Sequence, residues 1–277
     1  MSGRTGKTAP PSLPGVHVPT SLSEALQILR KEPTLPVWAG ATWWMDKGLE
    51  ATSLLSLQAL PELKRVVRSD LRVDIGAAVP VARLREAGHR YLPELLIAAL
   101  DRQGPPPVRN MATLGGALSL PEGILPVALV LLLLDARAEL RRAGASRWSP
   151  INAIHRVPGE ILTRIRIPLK QRTHWMLHQF GNAYPLNGPS MTVAATARTD
   201  KKSLAGIHCG LLLRGTRMIR LREAEAELVG RQLPLTERDQ RILLGALKDH
   251  PSYAREMDDL ERWRAASTMK QFLRRLG

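Results

Sequence analysis

The amino-acid sequence predicts an α+β fold, in which two α/β subdomains precede an antiparallel sheet with helices. With 277 residues the chain can hold two or three domains, and its 44% hydrophobic and 23% charged residues are typical of soluble globular proteins. Helical and strand-like patterns alternate up to residue 170. Beyond Gln171, strand-like runs are followed by helical patterns, and this segregation is typical of an α+β fold.

The N-terminal part predicts a tail and a small α/β subdomain. Residues 1–18 are rich in Ser, Gly, Pro and Lys, a composition that predicts a flexible tail. The capping-box pattern of Ser21 and Glu24 begins a helix, which Pro33 ends. Apolar runs at 37–39 and 54–57 are predicted to be short strands. We therefore expect the small subdomain to span residues 19–61.

A larger subdomain is expected over residues 62–170. Two alternating runs joined by Ser69 and Asp70 are typical of a β-hairpin. Three consecutive prolines, Pro105 to Pro107, are expected to exclude helix and interior strand. The remaining pattern predicts helices at 81–87 and 92–101, a buried helix ending near Leu134, and strands at 138–142 and 160–168.

Residues 171–277 are expected to form a C-terminal domain. Strand-like runs at 175–180, 192–199 and 205–213 are separated by polar turns, which predicts an antiparallel meander. From Arg222 onward the pattern is helical, with helices expected at 236–247 and 253–276. A sheet followed by helices completes the predicted fold.

The formal net charge of +15 indicates an anionic partner or a solvated basic surface. A nucleic acid, an acidic protein and a phosphate-bearing cofactor are the candidate partners. Long Lys/Arg tracts and the interleaved aromatic residues of single-strand binders are absent from the sequence. Nucleic acid is therefore the least favoured partner.

The cysteine content and the hydropathy of the chain limit which cellular compartment and which redox chemistry it can have. The single cysteine, Cys209, excludes an internal disulfide, an iron–sulfur cluster and a cysteine-based zinc site within this chain. Residues 1–17 lack the apolar segment of a secretory signal. The longest apolar run, 124–134, is shorter than the roughly 20 residues that a membrane span needs. We expect a cytoplasmic protein without a membrane span.

Familiar hydrolytic and nucleotide-binding motifs are absent. The sequence holds no G-x-S-x-G, H-E-x-x-H, P-loop or G-x-G-x-x-G pattern, and its seven histidines share no metal-ligand spacing. His174 and His178 lie four residues apart, but in a predicted strand this spacing separates them by about 13 Å. No metal site is expected in this chain.

Two loops of small residues are the best candidates for a ligand site. The first loop, residues 39–43, follows a predicted strand, and the second loop, residues 109–116, lies between the prolines and the buried helix. Glycine allows main-chain N–H groups to approach an anion closely, although a tight turn also requires it. Two such loops in separate subdomains could converge on the diphosphate of a dinucleotide.

Five segments in this order resemble the FAD-binding medium subunits of molybdenum hydroxylases, the family of the xanthine dehydrogenase and carbon monoxide dehydrogenase flavoproteins. The first loop is similar to the A-G-G-T-D loop of that family, and the second loop is similar to R-N-x-A-T-I-G-G-N. The other similar segments are 74–79, 134–136 and 222–230. The resemblance covers nearly the whole chain after the tail.

The resemblance implies a PCMH-type FAD-binding fold, with FAD between the first two subdomains and both glycine loops on its pyrophosphate. It also implies a large molybdopterin-binding subunit and a small iron–sulfur subunit whose [2Fe–2S] clusters pass electrons to FAD and on to an external acceptor. The chain would then be an oxidoreductase subunit that is catalytic only within the complex. The implied FAD-binding residues are Val37, Trp38, Ala39, Gly40, Ala41, Thr42, Trp43, Arg109, Asn110, Thr113, Leu114, Gly115, Gly116 and Leu162.

Several positions depart from the pattern of that family. A glycine, an acidic residue, an asparagine, an aspartate and a basic residue are replaced by Ala41, Trp43, Ala117, Pro126 and His178, respectively, and Trp44 adds a further indole. Main-chain donors need no particular side chain, so a diphosphate site could survive these changes. Two further hypotheses stay open: a flavin-free structural subunit in which an indole fills the flavin space, and a basic nucleic-acid-binding protein.

Overall fold

The computed structural model describes residues 15–47, 53–120, 124–155, 157–181 and 190–277, without the side chains of 45–47 and 252–254. These residues form three sheets with helices packed against them. The described part of the chain has the α+β architecture that the sequence predicts. The expected domain boundaries stay predictions.

The first sheet is parallel, with the strand order β1-β3-β2. Its strands are β1 (Gly15–His17), β2 (Val37–Trp38) and β3 (Ser53–Ser56), and the helix α1 (Leu22–Lys31) belongs to the same unit. The hydroxyl of Ser21 accepts a hydrogen bond from the N–H of Glu24, which confirms the predicted cap. The prediction of a flexible tail up to residue 18 is wrong at its end, because β1 pairs with β3. Residues 1–14 lie outside the described part.

The second sheet is antiparallel, in the order β4-β5-β8-β6-β7. Its strands are β4 (Val66–Arg68), β5 (Arg72–Gly76), β6 (Arg137–Arg142), β7 (Ala145–Pro150) and β8 (Ile161–Pro168). The predicted hairpin is confirmed as β4 and β5. Strand β7 was not predicted, because its mixture of small, charged and aromatic residues lacks apolar alternation.

Among the described residues, six helices lie between β2 and β6 along the chain, and two of them form the second loop. They are α2 (Thr42–Lys47), α3 (Val81–Ala87), α4 (Glu94–Leu100), α5 (Pro106–Met111), α6 (Leu114–Leu118) and α7 (Pro126–Leu133), with short 3₁₀ turns at Pro61–Lys64 and Ile151–Ala153. All eight residues of α7 are buried, which confirms the predicted buried helix.

The three consecutive prolines begin a helix, so the prediction that they exclude one is wrong. Pro105 is the N-cap of α5, and Pro106 and Pro107 occupy its first two positions. The first N–H groups of a helix have no intrahelical acceptor, so proline loses nothing there, and its fixed φ suits the first turn. The second loop is consequently two short helices, α5 and α6, joined at Ala112 and Thr113.

The third sheet is an antiparallel meander in the order β12-β11-β10-β9, as predicted for the C-terminal domain. Its strands are β9 (His174–Phe180), β10 (Met191–Asp200), β11 (Ser203–Leu213) and the unpredicted β12 (Arg217–Arg220). The helices that follow are α8 (Arg222–Leu228), α9 (Glu237–Asp249), α10 (Pro251–Glu256) and α11 (Asp259–Arg274). The single helix predicted at 253–276 is interrupted because Asp258 caps α11 in a capping box with Glu261.

The second and third sheets share one apolar core. Leu177, Ala194 and Leu212 of the third sheet belong to the same buried cluster as the residues of α7.

In the described residues, no helix is long and apolar enough to pass through a bilayer, and no group of three His, Cys, Asp or Glu could hold a metal ion. Cys209 is buried in the core, and this burial raises the pKa of its thiol well above the usual range.

Candidate functional site

A cavity of about 510 Å³ lies between residues 33–44 on one part of its lining and residues 103–120, 154–155 and 157–162 on most of the rest. The first loop, the junction of α5 and α6, and the segment before β8 all contribute to its walls. The predicted site residues in the lining are Val37, Trp38, Ala39, Gly40, Ala41, Thr42, Trp43, Thr113, Gly115, Gly116 and Leu162. The structure therefore brings the two predicted loops together on one cavity.

The two loops touch at Gly40. A Cβ added to Gly40 would lie 1.9 Å from the carbonyl oxygen of Met111 and 3.1 Å from the Cα of Ala112. Any side chain at this position would push the first loop away from α5. The absence of a side chain at Gly40 therefore allows the first loop to close against the second subdomain.

The first loop has the geometry of an anion-binding turn. Ala41 has a φ of +57°, in the left-handed region that favours glycine, and the helix α2 begins at the next residue. Within the described chain, no acceptor is recorded for the main-chain N–H groups of Gly40, Ala41, Thr42 or Trp43. Successive N–H groups around a left-handed residue can form a concave nest for an anion. These groups are main-chain donors without an acceptor in the described chain, and their contact with a diphosphate stays a prediction.

The second loop uses its main-chain donors within the chain. The N–H groups of Leu114 and Gly115 donate to the carbonyl oxygens of Val79 and Ala77 at 3.2 and 2.8 Å. The N–H groups of Gly116 and Ala117 donate to the hydroxyl and the carbonyl oxygen of Thr113 at 3.1 and 2.9 Å. In this structure the second loop therefore shapes the wall, and its direct contact with a diphosphate stays a prediction.

The glycines of the second loop have a packing role. A Cβ on Gly115 would lie 2.5 Å from the Cβ of Ala77, and one on Gly116 would lie 3.0 Å from the hydroxyl of Thr113. Glycine at position 115 lets α6 pack against the segment that follows β5, and glycine at position 116 leaves room for the hydroxyl of Thr113. The tight turn that the sequence left as an alternative is not what these glycines form, because both lie in α6 and neither has a positive φ.

Three predicted site residues do not line the cavity. Leu114 is fully buried in the core, and Asn110 is exposed. The guanidinium of Arg109 donates from Nη1 to the carbonyl oxygens of Gly104 and Asp101 at 2.7 and 3.1 Å. Arg109 therefore holds the turn between α4 and α5, and its predicted contact with a cofactor stays a prediction.

Aromatic and amide side chains form part of the wall. Trp38, Trp43 and Trp44 line the cavity, and the last two rings meet edge to face with centroids 4.8 Å apart. Gln103 also lines it, although its position before the prolines gave no signal in the sequence. The indole Nε1 of Trp38 and the amide Nε2 of Gln103 are buried without an acceptor among the described residues.

The departures from the family pattern fall at different distances from the cavity. Ala117 lies in the wall, next to the second loop. Pro126 is buried as the first residue of α7 and is not among the lining residues. His178 is an exposed residue of β9 whose pKa is lowered by partial burial and by Arg275 and Arg102. Two of the replaced side chains are therefore outside the cavity.

An ion pair holds the part of the wall that precedes β8. Glu160 precedes β8, and its carboxylate accepts hydrogen bonds from Nε and Nη2 of Arg147 at 2.9 and 2.6 Å. Leu162 follows in β8 and presents an apolar side chain to the cavity. Bidentate pairing fixes the direction of both side chains, so this wall is ordered from the edge of the second sheet.

The chain is thus built of three sheets with helices, and its cavity is lined by β2, the first loop, the α5–α6 junction and the start of β8. Residues 11–170 match the family described as the FAD binding domain in molybdopterin dehydrogenase. This match covers more than half of the chain, and the chain belongs to this family.

Similar proteins agree with this membership. The chain is 28% identical over 172 residues to a putative xanthine dehydrogenase FAD-binding subunit of Escherichia coli (strain K12), and the match covers 57% of this chain and 59% of the relative. Two solved structures share the fold. One is quinoline 2-oxidoreductase from Pseudomonas putida 86, with a TM-score of 0.75, 20% identity and 95% of each chain covered. The other is carbon monoxide dehydrogenase from Hydrogenophaga pseudoflava, with a TM-score of 0.77, 18% identity and 96% of each chain covered.

Proposed function

We propose that this chain binds FAD in the cavity between its first two subdomains and transfers electrons as the flavoprotein subunit of a molybdenum hydroxylase-type oxidoreductase. The convergence of the first loop and the α5–α6 junction on one cavity carries this proposal. The family to which residues 11–170 belong supports FAD as the ligand.

The donor set of the cavity suits a dinucleotide. The N–H groups of residues 40–43 have no acceptor in the described chain and would donate to the diphosphate oxygens. Apolar and aromatic side chains such as Leu162 and Trp43 would exclude water from the rings. FAD, when bound, supplies the electron-accepting and electron-donating chemistry, and the chain supplies the binding site.

The partners follow from the family and from the cysteine content. A chain with one buried cysteine cannot ligate an iron–sulfur cluster, so clusters that exchange electrons with its FAD belong to another subunit. A large molybdopterin-binding subunit and a small iron–sulfur subunit are therefore the proposed partners. The relative from Escherichia coli is named as an FAD-binding subunit of xanthine dehydrogenase, which supports an oxidoreductase complex.

The proposal is tested by the flavin content of the protein. The chain is purified from cells grown with riboflavin, and the heat-released cofactor is identified by chromatography; we expect FAD in stoichiometric amount. Apo-protein is then titrated with FAD, with FMN as the control ligand that lacks the diphosphate-linked adenosine. A chain that contains no flavin and whose melting temperature does not respond to FAD would contradict the proposal.

A second candidate function is a flavin-free structural subunit of the same kind of complex. The observation that favours it is the presence of Trp38, Trp43 and Trp44 in the wall of the cavity. A Trp43→Gly variant separates the two functions, because removal of the indole would create FAD binding only if the ring fills the cofactor space. Trp263→Gly is the control, since Trp263 is 66% exposed and does not line the cavity.

A further inference from the structure

Two buried donors in the cavity wall lack acceptors. The indole Nε1 of Trp38 and the amide Nε2 of Gln103 are screened from solvent, and neither has a partner in the part of the chain that the structure describes. Gln103 as a whole is only 3% exposed. A buried donor without an acceptor has lost its hydrogen bond to water, and such groups are rare in native proteins. Both residues line the cavity, so a ligand that reaches these two atoms would supply the acceptors.

The two donors come from segments that are far apart along the chain. Trp38 ends β2, directly before the first loop, and Gln103 lies in the turn between α4 and α5. The first loop closes on α5 through Gly40 and Met111. A ligand in the cavity would therefore receive one side-chain donor from each subdomain.

Neither side-chain donor is needed to hold its own segment. The N–H of Gln103 donates to the carbonyl oxygen of Leu100 at 3.2 Å, and Arg109 ties the same turn from Nη1. The carbonyl oxygen of Trp38 accepts from the N–H of Leu57 at 2.7 Å. Main-chain bonds thus fix both positions, and the indole and amide N–H groups are left for another partner.

We propose that Trp38 and Gln103 are cofactor-binding side chains that select the ligand of the cavity, their N–H groups donating to acceptor atoms of the bound FAD. This inference rests on the proposed function. FAD offers phosphate, hydroxyl, carbonyl and ring-nitrogen acceptors, so both donors can be satisfied by one molecule. The two contacts supplement the main-chain donors of the first loop and join the two subdomains through the ligand.

The test removes each donor and keeps an aromatic ring at position 38 and an unbranched side chain of similar length at position 103. In Trp38→Phe and Gln103→Met, the dissociation constant of FAD is expected to rise about tenfold for each variant. The melting temperature of the apo-protein is expected to stay the same or to rise, because each variant removes an unsatisfied donor. Trp263→Phe and Gln27→Met are the matched controls, since both residues are exposed and lie outside the lining.

The outcomes separate this inference from the proposed function. Wild-type protein that binds FAD, together with variants whose dissociation constants are unchanged, would overturn the inference and leave the proposed function standing. Variants whose apo-protein melts at a lower temperature, with unchanged FAD affinity, would assign the two side chains a structural role and also overturn it. Wild-type protein that binds no FAD would overturn the proposed function, and the inference with it.

Discussion

The carboxylate of Asp135 accepts a hydrogen bond from the guanidinium of Arg220 at 2.9 Å, and this contact links the end of α7 to β12 of the third sheet. Arg220 also pairs with Glu225 at 3.0 Å and donates to the carbonyl oxygen of Leu132 at 3.0 Å. Lys170 contributes a further contact to Asp135 at 3.0 Å. The third sheet is thus joined to α7 by paired charges as well as by the shared apolar core.

The ionisation of Asp135 predicts an acid-sensitive junction. Burial would raise the pKa of Asp135, but the hydrogen bond from Arg220, the neighbouring His208 and Lys170 outweigh it and lower the pKa from 3.8 to about 2. A carboxyl with a lowered pKa in the folded state stabilises the protein above its unfolded pKa, and this stabilisation is lost as the pH falls through the folded pKa.

Asp135→Asn is expected to remove that stabilisation. The loss in the free energy of unfolding at neutral pH is about 1.5–3 kcal/mol, as for a hydrogen bond to a charged group, and the difference from wild type shrinks from pH 4 towards pH 2. Asparagine tolerates the φ of +56° at position 135, so a change in backbone strain does not contribute to the difference between the variant and wild type. Urea denaturation across this range checks the prediction, with the exposed Asp70→Asn as control. A difference that does not depend on pH would contradict it.

Gly40→Ala is expected to separate the first loop from α5. Overpacking costs about 1–3 kcal/mol, and the added Cβ would meet the carbonyl oxygen of Met111 at 1.9 Å. We expect a lower free energy of unfolding and weaker FAD binding, measured by denaturation and by titration of the apo-protein. Gly245→Ala in α9 is the control, because no atom lies within 4 Å of its added Cβ. Unchanged stability and unchanged FAD affinity in Gly40→Ala would show that the loops do not close as described.

Ala41→Gly is expected to stabilise the protein. A non-glycine residue in the left-handed region costs about 1–2 kcal/mol, while glycine adds about 0.4–1 kcal/mol of unfolded-state entropy, so the net gain is about 0.5–1 kcal/mol. Urea denaturation measures the gain. Ala266→Gly within α11 is the control and should lose about 1 kcal/mol. If Ala41→Gly and Ala266→Gly lower the free energy of unfolding equally, the left-handed φ of Ala41 does not strain the backbone.

Thr113→Val is expected to weaken the start of α6. The hydroxyl of Thr113 accepts from the N–H of Gly116 at 3.1 Å, and loss of such a cap costs about 1–2 kcal/mol. Valine keeps the shape of the side chain and removes only the hydroxyl. Thr113→Ser keeps the acceptor and should recover most of the free energy of unfolding. Equal stability of the valine and serine variants would exclude the cap as the role of this hydroxyl.

Local patterns in the sequence were sufficient where each element carries its own signal. The cap of Ser21 before α1, the unbroken apolar run of α7 and the alternating strands of the C-terminal meander were all predicted within a few residues. Such signals depend on side chains that lie within one turn or one strand of each other. The errors at Pro106 and Asp258 arose because proline and aspartate begin helices as readily as they interrupt them.

The sequence by itself determined the fold class, the family resemblance and the two loops of small residues, because each of these depends on patterns of residues that are adjacent along the chain. Only the tertiary structure decided that Gly40 contacts Met111 and that Gln103 lies in the wall of the cavity. It also decided that the carbonyl oxygens of Ala77 and Val79 accept hydrogen bonds from N–H groups of the second loop. These contacts join residues distant along the chain, and their partners are set by how the subdomains pack. For that reason the donors that remain available to a ligand could not be identified before the packing was known.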